Sequence, residues 1–259
     1  MRALVSTDTE VIVNATVGRV KKTCKIPIRV TDYASTLNDN SWEMIAEAAA
    51  SGIAGQLWNV GDSKYFELGG TQIETKIIAF NADPLDTADE KYSDTSYNGN
   101  KKKAAIVFQF FTSPGIARMH NYNSEVGWDT CQMRTTTIAD LYNSLPSDLK
   151  SVIRLVKKYS YNGYNSRNIE TADRLFLESA YEVLQSPGLG SNGNEASKRI
   201  FYTYYANGQA PIKSVVNWTR SMHGSGCSIA NHFAAIGMSG SINYPGYNAR
   251  QDYFPMFCI

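Results

Sequence analysis

Ala104-Ala-Ile-Val-Phe-Gln-Phe-Phe111 decides the fold class, because its β-branched and aromatic content predicts a buried strand. On its N-terminal side, Thr75-Lys-Ile-Ile-Ala-Phe80 predicts a second strand, which leaves a Gly69-Gly70 turn. That turn closes a hairpin begun at Trp58-Asn-Val-Gly-Asp62 and continued through Tyr65-Phe-Glu-Leu68. Residues 81–101 between the strands are polar and turn-rich. Ahead of the hairpin, Ser41-Trp-Glu-Met-Ile-Ala-Glu-Ala-Ala-Ala-Ser-Gly52 is the clearest helix. Ser41 caps it, Trp42, Ile45, Ala46 and Ala49 share one face, and Gly52 ends it. Strands and helices in this mixture make an α+β chain.

The outer segments extend the pattern. Residues 9–31 predict two strands around a Lys21-Lys22 turn, with a polar linker at 32–41. This divides the chain into a β attachment segment at 1–38 and a ligand-binding domain at 39–259. Toward the C-terminus, Leu149, Ile153 and Val156 are spaced for one helical face, predicting helix over 134–159 with a start at Pro146. A polar loop follows over 159–171, then a short strand over 173–179 and a helical or turn segment at 180–184. Beyond Pro187 the chain is dominated by Gly, Ser, Asn and Tyr, so its C-terminal third reads as loops.

Composition excludes several classes. The net charge is +1 and the longest basic run is Lys101 to Lys103, a solvated turn, so no nucleic acid is expected. The N-terminus lacks the apolar core of a signal peptide, and no apolar run is long enough to cross a membrane. The four cysteines form no CxxC pair, which leaves only a long-range Cys227–Cys258 bridge open.

Candidate chemistry is sparse. His223, Cys227 and His232 do not fall at metal-ligand spacing, and they read as surface loop residues. His223-Gly-Ser225-Gly lacks the context of a nucleophile turn. Asp83, Asp86, Asp89 and Glu90 read as a solvated acidic loop without the EF-hand pattern. No cofactor is expected, and the chain reads as a non-enzyme. By contrast, residues 214–259 contain no Lys and no Glu, although the chain has 14 and 11 of them. The same stretch holds Trp218, Arg220, His223, Asn231, His232, Asn243, Tyr244, Tyr247, Asn248, Arg250, Asp252 and Tyr253, residue types suited to recognition surfaces. Phe233, Ile236, Phe254, Phe257 and Ile259 would pin it to a core.

An ordered set of motifs carries a family resemblance: Ser41-Trp42, Trp58-Asn-Val-Gly-Asp62, Ile77-Ile-Ala-Phe-Asn-Ala-Asp83, Gly127-Trp128, Met133-Arg134, Leu145-Pro-Ser-Asp-Leu149, Asp173-Arg-Leu-Phe-Leu-Glu-Ser179, Trp218-Thr-Arg-Ser221 and Phe254-Pro-Met-Phe-Cys-Ile259. Over residues 41–259 the chain resembles an uncharacterised domain common at the C-termini of surface and phage-tail proteins of Firmicutes and their gut phages. That domain in turn resembles the C-type-lectin-like fold, in the branch shared by variable proteins of diversity-generating retroelements and formylglycine-generating enzymes.

The resemblance implies a fixed frame at Trp218, Arg220, Phe233, Gly240, Pro255 and Phe257. It implies exchangeable ligand-binding positions at His223, Ser225, Asn231, His232, Asn243, Tyr247, Asn248, Arg250, Asp252 and Tyr253. Adenine-directed mutagenesis of Asn-type codons does not reach Lys or Glu, which fits their absence here, while Met222 and Gln251 would have to be fixed. The implied partner is a host cell-surface protein or glycan, met from a virion tail or a bacterial surface, with a homo-oligomer as a further partner. The competing expectations are a structural virion or cell-surface protein without a ligand site, and a formylglycine-type oxidase using Cys227 and Cys258.

Overall fold

The computed structural model describes residues 7–17, 20–30, 32–121, 126–162, 167–184, 200–209, 215–222, 232–237 and 240–259. The N-terminal segment is a hairpin of β1 (Thr7–Val17) and β2 (Val20–Val30), two antiparallel strands that among the described residues pair only with each other. Its register sets Val17 against Val20, so Lys21 and Lys22 belong to β2 rather than to a turn.

The polar segment after the hairpin is not a free linker. Asn40 folds back on it, accepting from Ala34 N at 2.9 Å and donating to the carbonyls of Ala34 and Thr36. Leu37 enters the core, and the buried Trp58 donates its indole N–H to Ala34 O. The helix α1 (Trp42–Ala50) follows, with Ser41 Oγ accepting from Met44 N at 3.2 Å and Gly52 at φ +73° releasing the chain. Ala48 lies buried beside Trp42, Ile45 and Ala49, while Ala46 is half-buried. A short α2 (Ala54–Leu57) then leads to β3 (Ser63–Leu68) and β4 (Thr71–Phe80). Gly69 and Gly70 have φ of +58° and +83°, the two positive angles that a tight hairpin turn requires.

Next come β5 (Ile106–Phe110), fully buried as its composition predicts, and the two-residue β6 (Ile116–Ala117). A π-helical turn at Met133–Ile138 runs into α3 (Ala139–Ser144), and α4 (Ser147–Val152) starts after Pro146. The helix expected to reach residue 159 stops at Val152. Residues 156–171 form the hairpin of β7 (Val156–Asn162) and β8 (Arg167–Asp173), which replaces the end of that helix and the expected polar loop. The reason is a buried polar face: Val156, Lys158 and Ser160 alternate inward, so the period of two is hidden by hydrophilic residues. Of the strand expected at 173–179, only β9 (Leu175–Phe176) forms, followed by α5 (Ala180–Leu184) and α6 (Thr203–Ala206).

The C-terminal third is more regular than a chain of turns. It contributes β10 (Asn217–Met222), β11 (Phe233–Ile236), β12 (Ile242–Asn243), β13 (Gln251–Asp252) and β14 (Met256–Cys258). These complete two five-stranded sheets, ordered β3-β4-β5-β14-β9 and β12-β11-β10-β13-β6. The last strand enters the first sheet between β5 and β9, pairing Phe257 with both Phe108 and Leu175. Phe108 and Phe257 stack at 5.1 Å, with Trp42 edge-on to both at 5.6 and 5.9 Å. Helix α1 and the chain terminus thus share one core, and the architecture is α+β. Among the described residues, no helix is long and apolar enough to cross a membrane.

Candidate ligand-binding groove

Two polar regions stand out, one sealed inside and one open. The sealed one begins at the start of α5, where Ser179 and Glu182 form a reciprocal cap. Ser179 Oγ accepts from Glu182 N at 3.1 Å, and Glu182 Oε2 accepts from Ser179 N at 2.8 Å. The same carboxylate receives Arg220 in two parallel bonds of 2.7 and 2.6 Å, and Lys158 Nζ at 2.9 Å. Lys158 also donates to Asp83, whose other oxygen accepts from Tyr202 O–H at 2.9 Å. All six side chains are buried.

Electrostatics follow from that enclosure. Burial alone would raise the Glu182 carboxyl, but the Arg220 and Lys158 charges outweigh it and hold it down to about 2. Burial pushes Glu178 up to about 8, against a hydrogen bond from Asn217 and with the Glu182 charge adding to the rise. Gln109 and Asn217 supply the donors to Glu178, and Tyr205 O–H donates to Gln109. Burial, followed by the charge of Asp83, pushes the Cys258 thiol well above its ordinary range. Cys258 is a free thiol, and Cys227, its partner in the bridge left open by the sequence, lies outside the described residues.

This interior overturns the reading of the acidic loop as solvated. Asp83 and Asp89 are buried; Asp89 accepts from Leu155 N and Lys91 N, and Glu90 pairs with Arg154 at 2.7 Å. Among the described residues, no group of three His, Cys, Asp or Glu side chains is placed to hold a metal.

The open region is a groove of about 320 Å³ lined by Ile116, Ala117, Arg118, Asn121, Gln132, Thr137 and Arg250. Its floor is the edge of the second sheet, where β6 pairs with β13 through Ala117–Gln251 and Ile116–Asp252. The segment beyond β6 is pinned from three sides. Trp218 donates its indole N–H to Ala117 O at 3.0 Å, Met133 N donates to Met119 O, and His120 N donates to Tyr247 O. His120 Nδ1 accepts from Gln132 N at 3.2 Å, and burial lowers its imidazole from the ordinary value. The opposite wall is the π-helical turn, a distortion that often marks functional sites. Arg250 is steadied by one bond, Nη2 to Ile116 O at 3.2 Å. Neither Arg118 nor Arg250 makes an ion pair with a carboxylate among the described residues.

A second groove, of about 310 Å³, lies beside Arg134, Tyr142, Asp173 and Arg174. Its charged groups are already engaged: Arg134 pairs with Asp173 at 2.6 Å, and Arg174 donates to Ile153 O. Trp128 completes that cluster by donating to Asp173 at 3.1 Å.

The positions singled out in the sequence separate accordingly. Arg250 lines the open groove, Tyr247 supports it through its carbonyl, and Asn248 is exposed between them in sequence. Asp252 sits half-buried in β13. Tyr253 is 7% exposed and belongs to the core, so it is a frame residue and not a display position. Asn243 is exposed on β12, at the opposite edge of the sheet from β6, and half-buried His232 immediately precedes β11. His223, Ser225 and Asn231 lie outside the described residues. Of the expected frame, Trp218, Arg220, Phe233, Pro255 and Phe257 are buried and Gly240 is half-buried. Arg118, Asn121, Gln132 and Thr137 escaped the sequence reading, since nothing in their spacing links them before the sheet edge brings them together.

No curated protein and no solved structure matches the chain. Residues 102–259, which include every residue of the open groove, match the model of the family described as a domain of unknown function (DUF6273), and the chain belongs to that family.

Proposed function

We propose that the chain is a ligand-binding display protein whose ligand docks in the groove at the β6–β13 edge. The observation that carries this is an open groove whose polar lining takes no part in the buried frame, Ala117 being the lining residue that packs against the core. Arg118, Asn121, Gln132, Thr137 and Arg250 are free to vary without touching the Glu182 network or the Phe108–Phe257 core. The C-type-lectin-like resemblance belongs to this reading, as does the likeness to retroelement-diversified proteins. Burial of Trp218, Phe233 and Phe257 against exposure of Asn248 and Arg250 supports both.

The partner in this reading is a host cell-surface glycan or protein, reached from a phage tail or a bacterial surface. Copies would join through β1 and β2, since among the described residues this two-stranded hairpin pairs only with itself, and such a hairpin is marginal in water. Many weak sites would then act together. The oxidase alternative is weakened by Cys258, because a buried thiol held protonated is a poor nucleophile. A structural protein without a ligand is the remaining alternative, and it predicts that groove substitutions leave attachment unchanged.

Sequencing the 3′ end of the gene across a phage or host population tests the diversified form. Substitutions concentrated at Tyr247, Asn248 and Arg250, with Trp218 and Phe257 constant, are the expected result. An invariant segment removes the retroelement reading.

A further inference from the structure

We propose that the groove selects an oxyanion, a carboxylate or a phosphate, carried on a polysaccharide. This rests on the reading of the groove as the binding site and adds the chemistry of what it takes. Two guanidinium groups line one small concavity, and among the described residues no acidic side chain lines it with them. Three other arginines have carboxylates: Arg134 has Asp173, Arg154 has Glu90, and Arg220 has Glu182, while Arg174 is spent on the carbonyl of Ile153. Arg118 and Arg250 have none among the described residues, and both are exposed.

Each guanidinium presents five N–H donors in a planar fork that matches a carboxylate or phosphate edge. Arg250 spends one donor on Ile116 O, which orients the group while leaving the others for a ligand. The chain as a whole carries a net charge of only +1, so an anion would be drawn here by the local pair of arginines and not by the overall charge.

The rest of the lining argues for a sugar polymer over a protein. Protein interfaces are organised around buried Trp, Tyr and Arg anchors, and the two arginines here are exposed. Among the described residues no aromatic side chain lines this groove; Asn121, Gln132 and Thr137 offer amide and hydroxyl groups, and Ile116 offers a small apolar face. Neutral donors and acceptors beside two cations suit hydroxyl-rich rings bearing an acidic group. An open groove also lets a chain of such rings pass through.

The test is equilibrium binding of the full chain to polygalacturonate, to its fully methyl-esterified form, and to a phosphorylated mannan, each at low and high salt. Arg118→Ala, Arg250→Ala and the double variant are measured beside the wild type, with thermal melting as the check on fold. The expected result is binding to at least one anionic polymer and about tenfold weaker binding per arginine removed. High salt weakens it further, and methyl esterification abolishes binding to the galacturonate backbone wherever the acid form binds. Equal binding of acid and ester, or wild-type binding by the folded double variant, overturns the oxyanion. So does failure of the wild type to bind either anionic polymer. Binding to intact bacterial cells separates the two levels. If cell binding is lost on Gln132→Ala with Thr137→Ala but not on arginine removal, the groove stands and the oxyanion falls. If no groove substitution moves cell binding, both fall.

Discussion

Arg220 and Arg250 sit in the same half of the chain and face opposite problems. Arg220 is sealed inside, with its guanidinium shared between Glu182 and the carbonyl of Leu177. Arg250 stands at a sheet edge with a single carbonyl contact. A buried charge must be matched almost donor for donor, because the cost of leaving it unmatched exceeds most other terms in folding. An exposed charge has no such constraint and can be exchanged. Residue type alone therefore says little about role here; enclosure and partners decide it.

The largest break in this contrast comes from the interior. Lys158→Met leaves Asp83 with Tyr202 as its hydrogen-bond donor and removes one of the two cations on Glu182. It is expected to destabilise the fold by about 3–5 kcal/mol, read from urea unfolding. A loss below about 1 kcal/mol would mean that the pair is poorly matched and nearly neutral. Ser179→Ala is smaller, since it deletes only the hydroxyl side of the cap on α5. It is expected to cost about 1 kcal/mol by the same measurement.

Proton linkage sharpens the same contrast. Glu182, held down to about 2 from 4.5, contributes stability that is complete above pH 4.5 and lost as pH falls toward 2. Glu178 has the opposite sign. Raised to about 8 from 4.5, it contributes stability that is complete below pH 4.5 and lost as pH rises through 8. The melting temperature of Glu178→Gln should therefore vary less than that of the wild type between pH 5 and 9. An identical slope for the two proteins contradicts the assignment.

The smallest effect on stability belongs to the groove. Arg118→Ala and Arg250→Ala should each change unfolding free energy by no more than about 0.5 kcal/mol. A larger loss would tie the rim to the frame and undo the separation between them.

How much of this was legible beforehand depends on whether the buried face was apolar. The strand at 104–111, the helix after Ser41 and the Gly69-Gly70 turn were readable, because apolar periodicity and turn chemistry report directly on backbone geometry. The hairpin at 156–173 was not, because its inward positions include Lys158 and Ser160, which pattern reading assigns to solvent. The short strands of the C-terminal third were hidden for a related reason. Asn217 to Met222 is buried throughout, yet four of its six residues are polar and bond to distant partners such as Glu178 and Ala234. Arg250 could be singled out by composition, whereas Arg118 could not, since its place beside Arg250 depends on β6 pairing with β13.

The most direct test removes the groove in one step. A variant carrying alanine at Arg118, Asn121, Gln132, Thr137, Asn248 and Arg250 is compared with the wild type for melting temperature and for binding of the labelled chain to a panel of bacterial cells. The account predicts a melting temperature within a few degrees of wild type and loss of the binding that the wild type shows. Retained binding by the folded variant would contradict it, as would a variant that loses its fold together with its ligand.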